Sequence, residues 1–307
     1  MPELPEVEYT ARQLRASVVG ATIQETRVFW ERTIGHPDLP DFLAEVAGRC
    51  IEGVRRRGKF LLLDLSGDLF LSIHRRMTGN LLLLPAGWEL DTSLREVDPV
   101  AWNTRGPTFH FHASEISSDQ QLRYCRACFV LSDGRCLLFT DPRKFGRIEL
   151  WARDREEEAL AGLGPEPLSA EFSVERFAEG LARRKTGIKQ ALLDQSVVAG
   201  VGNIYADEAL FSAGIHPLRR TDSLTPDEIY KLHEGIVSAL TLGIEHGGTS
   251  FNDYRDLWGE AGDNYNHVRV YHQEGKPCSR CGTLIERMII AQRSAHFCPQ
   301  CQKLTVE

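Results

Sequence analysis

Residues 276–301 read KPCSRCGTLIERMIIAQRSAHFCPQC, with Cys278, Cys281, Cys298 and Cys301 in a CxxC-x16-CxxC arrangement. Two close pairs, each on a tight turn, can bring four thiolates into a tetrahedron. The metal that suits such a set is a structural zinc with no open coordination position. Four unrelated buried cysteines are the competing reading, and the spacing argues against it. The expectation is therefore one structural Zn²⁺ on these four cysteines, closing a β-hairpin that presents Arg287 and Arg293. A closed site of this kind folds a hairpin and does no chemistry itself.

Outward from the hairpin, the chain has 307 residues, of which 42% are apolar, enough for two domains with a sizeable core. No basic stretch leads into an apolar core at the start, and no apolar run approaches the roughly 20 residues of a membrane span. A cytoplasmic protein without a membrane partner is expected, and its eight cysteines are then reduced or metal-bound. The formal net charge of -7 argues mildly against a nucleic-acid partner, but the charge is unevenly spread. Acid gathers in ARDREEEAL, and base in RRRGK, HRRM, DPRKFGR, ARRKTGIK and the last forty or so residues.

Val7, Ala11, Leu14 and Val18 recur as one helical stripe that Gly20 closes. From Thr22 to Trp151 the texture is β, with SGD and SDG turns between apolar runs. GLGPEPLSAEFS reads as a linker, and helical patterns follow, the longest opening at LTPDEIYKLHEG with Ser223 or Thr225 as cap. The expected organisation is a β-rich unit over 1–161, a linker over 162–173, a helical unit over 174–267 and the zinc hairpin over 268–307. The stretch from about Gly87 to Gln121 has no clear period and reads as a long surface excursion.

Three further places carry candidate chemistry. VAGVGN feeds a helix starting near Asn203, whose outward N–H groups favour an anion such as a phosphate, although an ordinary helix-turn-helix would look the same. Cys125 and Cys128 form a second CxxC, with His110 and His112 upstream. That pair reads as part of a strand, its side chains on opposite faces, rather than as a metal site.

The third place is the start, MPELPEVE. Methionine ahead of proline is normally trimmed, leaving Pro2 with a secondary α-amine whose pKa, about 8, lies well below the ~10.4 of lysine. Such an amine attacks an aldehydic carbon to give an iminium. Glu3 is then placed to transfer protons, and Glu6, one turn on, to act as a second carboxylate or to bind backbone. Proline and acids in a first helical turn also have a purely structural explanation.

In this order, MPELPEVE, RRRGKF, DPRKFG, QSVVAGVGNIYADEALFSAGIHP and the cysteine hairpin resemble the bacterial formamidopyrimidine-DNA glycosylases, the helix-two-turn-helix enzymes that excise oxidised bases. The resemblance covers nearly the whole chain. It implies an α+β fold: an N-terminal β-sandwich with an N-terminal helix, then a helix-two-turn-helix domain ending in a zinc finger, with double-stranded damaged DNA between them. It implies Pro2 as Schiff-base nucleophile, Glu3 as proton donor, and Lys59 and Arg293 as further catalytic residues. Glu6, His74, Met77, Arg143, Phe145, Arg184, Lys185 and Asn203 become DNA contacts, with Met77, Arg143 and Phe145 filling the gap left by a flipped nucleotide.

The implied activity is glycosylase plus AP lyase by β,δ-elimination on oxidised purines, by a monomer at the nucleoid that needs no small-molecule cofactor. An endonuclease VIII-like enzyme for oxidised pyrimidines and a non-catalytic damage-binding protein are the alternatives. HRRMTG, the excursion after Gly87 and SFNDYRDLWGEAGDNYNHVRV, which occupies the place of the lesion-contacting loop, depart from the family pattern and bear on base preference.

Overall fold

The structure, a computed structural model, describes residues 1–87, 124–251 and 253–304. Residues 88–123, with His110 and His112 and most of the stretch expected as a surface excursion, and Asn252 lie outside the described residues. The chain forms two compact units. The first holds Met1–Pro2, Glu6–Ala159 and Gly247–Asp263, the second Glu3–Pro5, Leu160–His246 and Asn264–Glu307.

In the first unit, helix α1 (Leu4–Val18) carries the apolar stripe read from the sequence, and Val7, Ala11, Leu14 and Val18 are all buried. A four-stranded antiparallel sheet has the order β1 (Ile23–Val28), β7 (Cys125–Leu131), β8 (Cys136–Thr140), β6 (Asn80–Leu84). A five-stranded sheet has the order β2 (Ile34–His36), β9 (Arg147–Ala152), β5 (Leu69–His74), β4 (Phe60–Leu65), β3 (Ile51–Arg57), with only β2 and β9 parallel. Alternate residues of both sheets, such as Leu61, Leu63, Leu71 and Ile73 against Leu81, Leu83, Phe129 and Phe139, enter one core with α1. That is the sandwich the family resemblance implies, built from the strands expected between Thr22 and Trp151.

Cys125 and Cys128 correct the sequence expectation. They lie on one face, in a small outer cluster with Cys136, Leu82, Leu84 and Leu138. The cause is a register break between Cys125 and Ala127, where an extra residue in β7 turns the chain by one pleat. The three steps from Cys125 to Cys128 then match two steps of β8, from Thr140 to Leu138.

In the second unit, helices α4 (Val174–Ala182), α5 (Ile188–Leu193), α6 (Asn203–Ala213) and α7 (Pro226–Glu245) follow a one-turn α3 (Glu156–Ala159) that still belongs to the first. Helix α7 opens with a full capping box between Thr225 and Glu228. Helix α6 ends on Gly214 at φ 72°, the left-handed position that glycine fills without strain. Strands β10 (Glu286–Ile290) and β11 (Arg293–Phe297) form the C-terminal hairpin. No helix among the described residues is long and apolar enough to cross a membrane.

Candidate functional site

The four cysteines of the hairpin come together as the spacing predicts. Their Sγ atoms all lie within 4.8 Å of one another, with Cys278–Cys301 at 3.9 Å and Cys281–Cys298 at 3.5 Å. A tetrahedral zinc with bonds of about 2.3 Å requires sulfur–sulfur edges of about 3.8 Å, so this donor set fits the metal in both chemistry and size. The hairpin turns through Ala291 at φ 45° and Gln292 at φ 63°, a two-residue turn with both centres left-handed. Arg293 follows directly and is exposed.

Sequence position 3 explains the glycines near position 200. Glu3, only 2% exposed, accepts hydrogen bonds from the backbone N–H groups of Ile204 (3.0 Å) and Tyr205 (3.4 Å), the first turn of α6. The anion received by this helix start is thus a carboxylate of the chain itself. A Cβ on Gly202 would sit 2.3 Å from Glu3 Cδ, and one on Gly200, at φ 87°, would sit 2.6 Å from Leu4 Cδ1. Leu4 N–H also donates to Gly200 O at 3.0 Å, so backbone and carboxylate together fix the residue after Pro2.

Asn203 turns its amide N–H₂ toward Tyr271 Oη and Ser294 Oγ, both at the long distance of 3.4 Å, while its Oδ1 is buried without a partner. Arg184 and Arg293 share a depression of ≈ 270 Å³ with Thr186, Gln190, Asp194 and others. Arg184 is committed within it: Nε and Nη2 donate to Asp194 Oδ2 at 3.1 and 2.9 Å, and Nη2 also donates to Ser196 Oγ. Lys185 is exposed.

In the first unit Pro2 is buried, and Glu6, 1% exposed, accepts from Thr249 N–H at 2.7 Å. Lys59 follows Gly58 in the β3–β4 turn and is also buried. His74 accepts from Arg76 N–H at Nδ1, which leaves its proton on Nε2. Burial, with the charges of Arg76 and Lys59, pushes its pKa down to about 3, so the ring is held neutral.

The structure brings Met77, Arg143 and Phe145 together: Arg143 Nη1 lies 3.1 Å from Met77 Sδ, and its guanidinium stacks 5.0 Å from the Phe145 ring. Met77 and Phe145 are 41% and 50% exposed, unusual for such side chains. The basic run Arg55–Arg57 is less available than its sequence suggests. Arg55 forks between Asp64 and Glu156, each at 2.8 Å, and Arg56 pairs with Glu8 at 2.9 Å.

With this geometry, residues 1–148 match the formamidopyrimidine-DNA glycosylase N-terminal domain and 163–255 its H2TH domain. The chain belongs to the formamidopyrimidine-DNA glycosylase family. Residues 275–304 match the zinc finger found in FPG and IleRS, the segment that holds the four cysteines. The formamidopyrimidine-DNA glycosylase of Roseiflexus sp. is 43% identical over 304 residues, 99% of this chain and 100% of that one. A Lactococcus lactis FPG mutant in complex with Fapy-dG DNA superposes with a TM-score of 0.83 at 33% identity, covering 99% of this chain and 100% of that one. The wild-type L. lactis FPG with an oxidised-pyrimidine DNA gives 0.81, also at 33%, with the same coverage.

In this chain the sequence left several supporting residues unread. Asp141, fully buried, accepts from the backbone N–H of Arg143, Phe145 and Gly146 and from Thr78 Oγ1, next to Met77. One carboxylate therefore fixes both sides of the Met77–Arg143–Phe145 group. Glu208 does the same for Tyr271, accepting from the N–H groups of Arg269, Val270 and Tyr271, each at 2.9 Å. Lys189 and Asp207 pair beneath Arg293, where Lys189 also donates to Ser294 O. The motif DPRKFG was visible in the sequence, but the four partners of its aspartate were not.

Proposed function

We propose that this chain is a bifunctional DNA glycosylase and AP lyase that removes oxidised purines, 8-oxoguanine and formamidopyrimidines, from duplex DNA. Its family and the Fapy-dG complexes of its relatives support the class. The observation that carries the residue assignments is the pinning of Glu3 at the start of α6, which gives the carboxylate beside Pro2 one fixed position.

Removal of Met1 turns Pro2 into a secondary amine with an appreciable neutral fraction near pH 7. Its nitrogen attacks the sugar C1′. The bond from C1′ to the base breaks and the base leaves with the amine proton; the C1′–O4′ bond then opens, O4′ taking up a proton, and the nitrogen lone pair forms an iminium that acidifies the neighbouring sugar proton. Two successive eliminations then expel the phosphates on either side. Glu3 transfers protons, because no other carboxylate is covalently adjacent to the nucleophile. Lys59 steadies the departing base or the DNA, and neutral His74 donates from Nε2. Arg293, exposed on its tight turn, and the amide of Asn203 suit phosphate oxygens. Met77, Arg143 and Phe145 occupy the stack while the base is out. Zinc, when bound, holds the hairpin that carries Arg293. The reading places a monomer in the cytoplasm, at the nucleoid.

The test is borohydride trapping on lesion duplexes, with the adduct mapped to the N-terminal peptide. A variant with an untrimmable residue ahead of Pro2 should form none. An adduct formed at the usual rate by that variant excludes Pro2, and Lys59 becomes the first suspect. Parallel rates on 8-oxoguanine and thymine-glycol duplexes decide base class, since an L. lactis relative was solved with an oxidised pyrimidine. A protein that binds both duplexes but nicks neither, even at an abasic site, is a binder.

A further inference from the structure

The arginine in HRRMTG that departs from the family pattern is the largest fully buried side chain among the described residues, 1% exposed. Arg75 directs four of its five guanidinium N–H groups at acceptors. Nε donates to Gly79 O at 2.8 Å, Nη1 to Thr10 Oγ1 at 2.9 Å, and Nη2 to Asn80 Oδ1 at 2.7 Å and Arg255 O at 3.2 Å. Its carbon Cζ also lies 5.1 Å from the centre of the Tyr254 ring. Burial lowers its pKa, and the fields of Tyr254, Glu6 and Asp256 oppose that shift.

These partners join three elements of the first unit: α1, the turn between β5 and β6, and the segment after Gly247. Asn80 completes the link, accepting from Arg255 N–H at 3.1 Å and donating to Asp253 O at 2.7 Å. Gln13, one further turn along α1 from Thr10, donates to Asp256 Oδ2 at 2.7 Å and accepts from Leu257 N–H at 2.9 Å. Leu257 itself sits in the sandwich core.

The segment so held is a closed loop. Thr249 bridges to Asp263, Ser250 Oγ donates to Tyr254 O and accepts from Gly262 N–H, and Asp256 accepts from the N–H groups of Trp258 and Glu260. Its first residues are tied through Thr249 to Glu6, one helical turn from Pro2, while Trp258 remains 43% exposed. Whatever shape this loop has is therefore presented beside the amine that attacks the sugar.

We propose that Arg75 is a specificity-determining positioning residue, which pins Asp253–Leu257 to α1 and the β5–β6 turn so that the loop beside Pro2 meets an extruded base in one fixed shape. The inference rests on the glycosylase and lyase reading above. An abasic site offers that loop no base, so the effect of Arg75 belongs to base excision and not to strand cutting.

The test compares wild type with Arg75→Met on an 8-oxoguanine duplex, a thymine-glycol duplex and a preformed abasic-site duplex. A loop displaced by about 1 Å is expected to slow excision roughly ten- to hundredfold and to change the ratio between the two lesions, with abasic cleavage held within about twofold. Arg75→Lys keeps the charge but not the fork of bonds, and is expected to fall with Arg75→Met. Should Arg75→Met fail to fold, Asn80→Ala removes the link to Asp253 and Arg255 while sparing the bonds from Arg75 to Thr10 and Gly79, and must give the same split. Full rescue by lysine, or an equal change on all three substrates, overturns the proposal. Wild-type protein that cuts none of the three overturns the underlying reading instead.

Discussion

Lys189 Nζ lies 2.6 Å from Asp207 Oδ1, and neither side chain is reached by solvent. The other oxygen of Asp207 accepts from His296 N–H at 2.9 Å, so the pair fastens α5 and α6 to the strand that begins at Arg293. Removing one partner leaves an uncompensated buried charge, which costs about 3–5 kcal/mol. Lys189→Met should therefore lower the denaturation midpoint in urea sharply, and adding Asp207→Asn should recover part of the loss. A double variant whose loss is the sum of the two single losses would mean that the two groups are not coupled.

Zinc removal should act through the same strand. Structural zinc contributes about 10–16 kcal/mol to small fingers at neutral pH, so the hairpin does not keep its shape without it. Cys298→Ser, at a fully buried ligand, should release the metal and abolish DNA binding. Retention of one zinc per chain with full affinity by that variant would exclude the assignment.

Features that depend on spacing were legible in the sequence: the paired cysteines, the stripe Val7–Ala11–Leu14–Val18 and the apolar runs parted by SGD and SDG turns. What was not legible depends on partners far along the chain. Glu3 looked like a first-turn acid of its own helix, yet it caps a helix 201 residues away. Arg55 and Arg56 looked like a basic patch, but acids from α1, β4 and α3 neutralise them. Arg75 stood in a basic stretch that departs from the family pattern, and nothing local reveals Thr10 or Arg255 as its partners. The bulge in β7 put Cys125 and Cys128 on one face, because a single inserted residue reverses a parity argument.

His74 makes stability pH-dependent. Its pKa is pushed down to about 3 in the folded chain, against about 6.5 when unfolded, so between those values the unfolded state binds more protons. Stability then rises with pH across that window and is lost on acidification. From pH 7 to pH 5 the loss through this one group is about 2 kcal/mol. His74→Gln should flatten the acid limb of a stability profile measured by urea unfolding at several pH values. An unchanged slope would show that the ring is not held neutral.

Phe145 exposes half of an aromatic side chain while Asp141 holds its backbone N–H at 2.7 Å. Leaving so much apolar surface in water costs about 25 cal/mol per Å², so a rigidly presented ring implies a partner that covers it. On the proposed reading that partner is a base step opened by the departing nucleotide, which offers two apolar faces to the ring that Arg143 stacks on. Phe145→Ala should slow excision from a fully paired lesion by roughly tenfold, because unstacking costs a few kcal/mol that the ring no longer offsets. The loss should shrink when the lesion is already unpaired, and cleavage at a preformed abasic site should be spared, since no base remains to be flipped. Single-turnover rates on the three duplexes measure this directly. Equal losses on all of them would mean that Phe145 shapes the fold of the DPRKFG loop and takes no part in extrusion.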